Sequence, residues 1–169
     1  MVFDEVTSAS VILVAFDGNV LEGFGSANEE VGLALAVMSS RDDIGAVGHA
    51  HSLYATAFGA SDRVLSALSH ERCHLTPPGI GRCDGTGIGD GSSRAGIGLV
   101  EALGSSPAVF TVGHGLIAVG ESLSLAIATA VYLEKACQLQ LISGDDVDTV
   151  SQDENLLKRS GQASRPLMN

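Results

Sequence analysis

Two of the five histidines, His49 and His51, stand one residue apart at the end of an apolar run, Ile44-Gly-Ala-Val-Gly-His-Ala. On a strand, residues i and i+2 project from one face, so both imidazoles would point the same way. Two rings so placed can converge on one ion at about 2.0–2.1 Å. A third, His114, lies between Gly113 and Gly115. Glycine on both sides lets the backbone turn sharply and present the ring to a cleft. Three protein ligands would leave positions for water or substrate, the pattern of a catalytic rather than a structural metal site. The bland account of each ring is a surface or hydrogen-bonded core histidine, since an HxH pair also arises by chance.

The elements that must position these rings follow from patterning. Val11 to Phe16 is β-rich, and Asp17-Gly18-Asn19 then Val20-Leu21 follow, which predicts a hairpin. Residues 28–40 read as a helix with Asn28 as N-cap, Glu29 and Glu30 in the first turn, and Leu33, Val37 and Met38 close to one face. Ile44 to Ala50 reads as a buried strand and Ser52 to Ala60 as a short helix. From Ser69 to Gly98 prolines and glycines predict a long loop region, with a helix over Arg94 to Leu103. Pro107 to Val112 and Leu116 to Val119 read as strands. Ser122 caps a helix to about Ile142, whose Ala126, Ala130, Leu133, Cys137 and Leu141 make one stripe. This order predicts an α/β fold, a mixed sheet with helices packed on it. The chain divides into a domain over 1–145 and a polar tail over 146–169.

Composition narrows the function classes. The 169 residues fit one domain, and 45% hydrophobic residues fit a globular one. Nine Lys and Arg against 20 Asp and Glu give a net charge of −11. That balance, with no basic stripe, argues against nucleic acid and against anionic membranes. The run from Val11 to Phe16 is too short to span a bilayer. Cys73, Cys83 and Cys137 form no CxxC pair and read as reduced thiols in a cytoplasm. The start, MVFDEVTSAS, lacks the pattern of a secretory signal. The glycine run contains neither GxxxxGK[ST] nor a GxGxxG after a strand, so nucleotide binding has no support. Tyr54 is expected to pack near the histidines, and Glu134 to be structural.

Three segments in order resemble the class II aldolase/adducin family, whose members include fuculose-phosphate aldolases, ribulose-phosphate epimerases and decarboxylases. They are Asp43 to Phe58, Pro107 to Ser122 and Ala130 to Leu141, with 65 positions from His49 to His114. The resemblance implies a three-layer α/β/α fold with a central mixed, mostly antiparallel sheet, and that His49, His51 and His114 bind a divalent ion, with Zn2+ the usual one. The family's acid/base is a glutamate 19 residues before the first ligand, which is Glu30 here. That carboxylate would move protons on the substrate or complete the metal shell at rest. The family's Ser-Ser pair before the glutamate is Asn28-Glu29 here, and a histidine four residues after it is Ala34. Asn28 thus takes a substrate-contacting position, while sugar-phosphate specificity loses support. Ser69-His70-Glu71 resembles the matching stretch of decarboxylase-like members, which implies His70 as a substrate contact. Phe3 to Thr7 resembles the middle of the family domain, so the chain reads as an N-terminally short member.

The resemblance implies a metal-dependent carbon–carbon lyase, an aldolase or a decarboxylase, acting through a stabilised enediolate or enolate on a small carbonyl or hydroxy-acid substrate. Family members form homotetramers, so a homo-oligomer is expected. The alternatives are a non-catalytic adducin-like assembly module and an inactive truncated paralogue.

Overall fold

Alternation of side chains along two adjacent strands decides the layers of the computed structural model, which describes residues 6–66, 68, 75, 79–84 and 93–144, without the side chains of 93–95. A 3₁₀ turn, Ser8–Ser10, precedes a hairpin of β1 (Leu13–Val14) and β2 (Val20–Glu22). There follow α1 (Val31–Ser40), β3 (Ala46–Ala50), α2 (Leu53–Gly59), β4 (Gly81–Asp84), α3 (Ser93–Leu103), β5 (Ala108–Val112), β6 (Gly115–Gly120) and α4 (Leu123–Ser143). The main sheet runs β3-β6-β5-β4. β6 pairs antiparallel with both neighbours, and β4 pairs parallel with β5. The sheet is therefore mixed, as the patterning predicts, and mostly antiparallel, as the resemblance implies.

In the β5–β6 register, Val109 sits opposite Ile117 and Phe110 opposite Leu116. Successive side chains point to opposite faces. Val109, Ile117 and Val119 accordingly meet Leu33 and Val37 of α1 and Leu99 and Leu103 of α3. Ala108, Phe110, Leu116 and Ala118 meet Ala55 and Phe58 of α2 and Leu133, Ala136 and Cys137 of α4. Helices on both faces of one sheet make the three-layer α/β/α arrangement. Ala130 and Leu141 pack against the second cluster, so the α4 stripe is the one the sequence predicts.

The ends of the helices show what sets them. The Ser122 hydroxyl accepts the Leu125 N–H at 3.3 Å, and Gly144 closes α4 at φ 81°. α1 begins three residues later than expected. The Asn28 side chain accepts the Glu30 N–H at 2.7 Å, which makes a turn at 28–30 and leaves Glu30 as the N-cap. The β1–β2 hairpin turns on Asp17-Gly18-Asn19, where the Asp17 carboxylate accepts the Asn19 N–H at 3.0 Å. Its strands are two and three residues long, shorter than the apolar run suggests.

The largest correction concerns the stretch expected to be loop. Gly81-Arg82-Cys83-Asp84 is a strand. It carries no apolar alternation of its own and exists because β5 supplies its partners. Cys83 enters the α1/α3 cluster, while the Arg82 guanidinium lies 5.8 Å from the Phe58 ring centroid and 5.2 Å from that of Phe110. α3 is the crossover that a parallel β4–β5 pair requires. His70, His74 and Cys73, and the tail over 146–169, lie outside the described residues.

Candidate metal centre

β3 ends at the histidine pair, and the period of two puts His49 and His51 on one side of the chain. His49 is opposite Ile117 in the β3–β6 ladder. Its ring Nδ1 lies 2.8 Å from the Leu116 carbonyl oxygen. A carbonyl only accepts, so Nδ1 carries the proton and the neutral ring turns a bare Nε2 lone pair outward. That is the tautomer a metal ligand needs, fixed by a backbone partner. Burial pushes the His49 imidazole below its ordinary value, against the opposing pull of the Leu116 carbonyl and Glu30. Burial thus favours a neutral ring, and the Leu116 carbonyl fixes which nitrogen carries its proton.

His114 arrives by the turn between β5 and β6. Its N–H bonds the Thr111 carbonyl at 3.0 Å, and Gly113 adopts φ +69°, a left-handed conformation that favours glycine. Gly115 runs so close to β3 that a Cβ there would stand 2.3 Å from the Ala50 carbonyl oxygen. The two glycines do different work: one turns the chain and the other brings His114 against the end of β3.

Glu30 comes from a third direction, at the start of α1. Its Oε1 is 3.1 Å from His114 Nε2 and its Oε2 is 3.4 Å from His49 Nε2. The three Nε2 atoms are 3.0 Å apart for His49–His51, 3.4 Å for His49–His114 and 2.6 Å for His51–His114. All pairs of rings meet edge to face, with interplanar angles of 67–78°. One ligand atom from each of Glu30, His49, His51 and His114 can be chosen so that all lie within 4.8 Å of one another.

This donor set fits a divalent ion. Nitrogens bound tetrahedrally at about 2.0–2.1 Å would stand roughly 3.3 Å apart, close to the spacing found. The approach of the rings is closer than hydrogen bonding alone gives: the 2.6 Å His51–His114 distance is below the usual range of about 2.7–3.2 Å. Three imidazoles and one carboxylate suit the zinc-to-iron range of ions better than magnesium or calcium. Glu30, His49 and His114 are half-buried while His51 is exposed, so the cluster opens to solvent on one side.

The four residues singled out for metal and proton chemistry are thus brought together. Asn28, expected to contact substrate, is exposed beside them, its side-chain oxygen engaged by the Glu30 N–H. His70 lies outside the described residues. Tyr54 packs partly buried against the α2/α4 cluster. Glu134 reaches from α4 to accept two backbone N–H groups of α2, at 3.0 Å from Tyr54 and 2.7 Å from Ala55. A residue 79 positions away has no local signal in the sequence, so only its structural character was legible.

Comparison with known proteins agrees with this architecture. A family model described as Class II Aldolase and Adducin N-terminal domain matches residues 1–141, and the chain belongs to that family. Among its relatives is an L-fuculose phosphate aldolase of Methanococcus maripaludis strain C7, 27% identical over 134 residues, 78% of this chain and 69% of that protein. Another is Decarboxylase NovR of Streptomyces niveus, 29% identical over 83% of this chain but only 53% of its own length. Among solved structures, an L-fuculose 1-phosphate aldolase superposes with a TM-score of 0.82 at 21% identity, covering 95% of this chain and 76% of that one. An aldolase II superfamily protein from Pseudomonas syringae gives 0.83 at 23% identity, covering 98% and 69%. At such identities the structures attest the fold. Family and cluster together point to a divalent metal and to the chemistry of lyases.

Proposed function

We propose that this protein is a divalent-metal-dependent carbon–carbon lyase in which His49, His51 and His114 hold the ion and Glu30 moves the proton. The observation that carries the reading is the approach of four ligand atoms, from three separate stretches of chain, to within 4.8 Å of one another. When bound, the ion, Zn2+ by preference, would act as a Lewis acid on a substrate oxygen and so stabilise the negative charge released as a carbon–carbon bond breaks.

The rest falls to the chain. The neutral His49, with its proton held on Nδ1 by the Leu116 carbonyl, keeps Nε2 available at neutral pH. Glu30 has both carboxylate oxygens near the imidazoles, within reach of a substrate seated over them. In aldol cleavage it takes the proton of the hydroxyl on the departing carbon and returns it to the carbon left behind. In decarboxylation only that second transfer is required. Asn28, exposed at the rim, has its amide nitrogen left for a substrate oxygen, and His70 is the further contact we assign.

The substrate is a small hydroxy-carbonyl or keto-acid compound. Relatives named for fucose-type sugar-phosphate cleavage and for decarboxylation support both versions. Asn28-Glu29 before the glutamate favours the decarboxylase side, because an acidic side chain is a poor neighbour for a phosphate. The protein acts in the cytoplasm as a homo-oligomer, a tetramer by likeness to its class.

Zinc-loaded protein assayed against a sugar-phosphate ketose and against aromatic and aliphatic keto acids tests the reading. The His49→Ala, His114→Ala double variant is expected to lose at least about 10³-fold in activity on whichever class is turned over. Unchanged activity in that variant removes the mechanism. Retention of less than about 0.1 ion per chain by the unaltered protein after zinc loading at pH 7 would favour an adducin-like, non-catalytic module.

A further inference from the structure

The three imidazoles are not held equally. His49 is fixed at its far nitrogen by the Leu116 carbonyl, and His114 is carried by a tight turn and touched by Glu30. His51 is exposed, and among the described residues its ring meets only the other two imidazoles. Its position is therefore set by backbone, at the junction where β3 ends and α2 begins. That junction lacks a local cap: Ser52 is the N-cap of α2 but makes no side-chain cap bond, and its buried hydroxyl has no partner among the described residues. The N–H groups of the first turn are taken instead by Glu134, one carboxylate oxygen each for Tyr54 and Ala55. The same turn of α2 reaches the His114 segment: the Thr56 hydroxyl donates to the Ser52 carbonyl and stands 3.5 Å from the His114 carbonyl.

We infer that Glu134 is a positioning residue for the metal centre: from the far helix it caps α2 and so holds the backbone that delivers His51 to the ion. The inference rests on the reading of the cluster as a metal site. A carboxylate at a helix N-terminus satisfies orphan N–H groups and opposes the helix dipole. Glutamine in its place keeps one acceptor, turns an NH2 group toward the second N–H and loses the charge. The first turn of α2 then loosens, and His51 with it, while His49 stays anchored to Leu116.

Binding of Co2+ to the full chain tests this, with affinity and the visible ligand-field spectrum as readouts. Glu134→Gln is expected to weaken Co2+ binding about 10–100-fold and to alter the spectrum. Gln140→Leu is the control: this buried α4 residue bonds Ser66 and Val64 instead, about 9 Å further along the helix, and should lower the melting temperature with Co2+ binding unchanged. Equal affinity and identical spectra for Glu134→Gln and unaltered protein, with only the melting temperature reduced, would overturn the inference. Should Glu134→Gln fail to fold, Glu134→Asp, which keeps the charge but falls short of one amide, carries the same readouts. If the unaltered protein binds no Co2+, the metal reading fails by itself. The positioning role is then read from the histidine ring resonances of metal-free protein. A shift of His51 with His49 unmoved supports it, and no shift of His51 refutes it.

Discussion

The two ends of the central sheet are both rich in polar groups, yet those groups are disposed in different ways. At the end of β5 away from the histidines lies a cavity of about 370 Å³, lined by Gly79 to Arg82 and Leu103 to Ser106 among others. Its Ser106 and Arg82 side chains are paired within the protein. The Ser106 hydroxyl donates to the Gly79 carbonyl at 2.7 Å, and Arg82 donates to the Gly59 and Arg63 carbonyls. Nearby, Arg41 donates to the Gly104 and Ser106 carbonyls and forms an ion pair with Asp43 at 2.6 Å. At the histidine end, four ligand atoms from three stretches of chain crowd one point, and the His51 and His114 nitrogens approach to 2.6 Å. A hollow whose hydroxyl and guanidinium are taken up by backbone carbonyls is architecture, whereas three imidazole nitrogens and a carboxylate gathered at one point fit an ion.

Substitutions at the two ends should separate these roles. Gly115→Ala is expected to have the larger effect, because its Cβ would fall 2.3 Å from the Ala50 carbonyl and must push β6 and His114 away from β3. Divalent-metal affinity should fall more than about tenfold by titration. Stability should fall by about 1–3 kcal/mol in denaturant unfolding. Ser106→Ala removes one buried hydrogen bond at the other end and should cost about 1 kcal/mol with metal affinity unchanged. If Ser106→Ala weakened metal binding as much as Gly115→Ala, the division between the ends would be wrong.

The smallest expected effect is a difference in pH window. Burial lowers the His49 pKa, so between its ordinary and folded values the unfolded chain binds a proton that the folded chain does not. Metal-free protein should therefore be at full strength above about pH 6.5 and lose stability as pH falls below it. His49→Gln should flatten that limb. At the opposite end the Arg41 guanidinium holds Asp43 below its usual carboxylate range. Its contribution persists until pH falls below about 3.9 and is small because Asp43 is exposed. A pH titration of unfolding in which His49→Gln leaves the limb below pH 6.5 intact would show that another group governs it.

How far the sequence anticipates this follows from how local each determinant is. The HxH pair and the glycines around His114 are short-range patterns, and strand periodicity alone puts His49 and His51 on one side. The α4 stripe and its Ser122 cap are equally local. Glu30 needed likeness to a family, because nothing in its neighbourhood distinguishes it from Glu29. β4 was hidden because its strand character comes from pairing with β5, not from its own side chains. The Leu116 carbonyl that sets the His49 tautomer, and the Glu134 cap on α2, are contacts across 67 and 79 positions. No window on the chain contains both partners of either.

Anomalous scattering from crystals grown with Zn2+ tests the central claim most directly. One strong peak is expected at the zinc edge, about 2.0–2.1 Å from the Nε2 atoms of His49, His51 and His114. A map with no peak among those three rings, or with the zinc held by other residues, would contradict it.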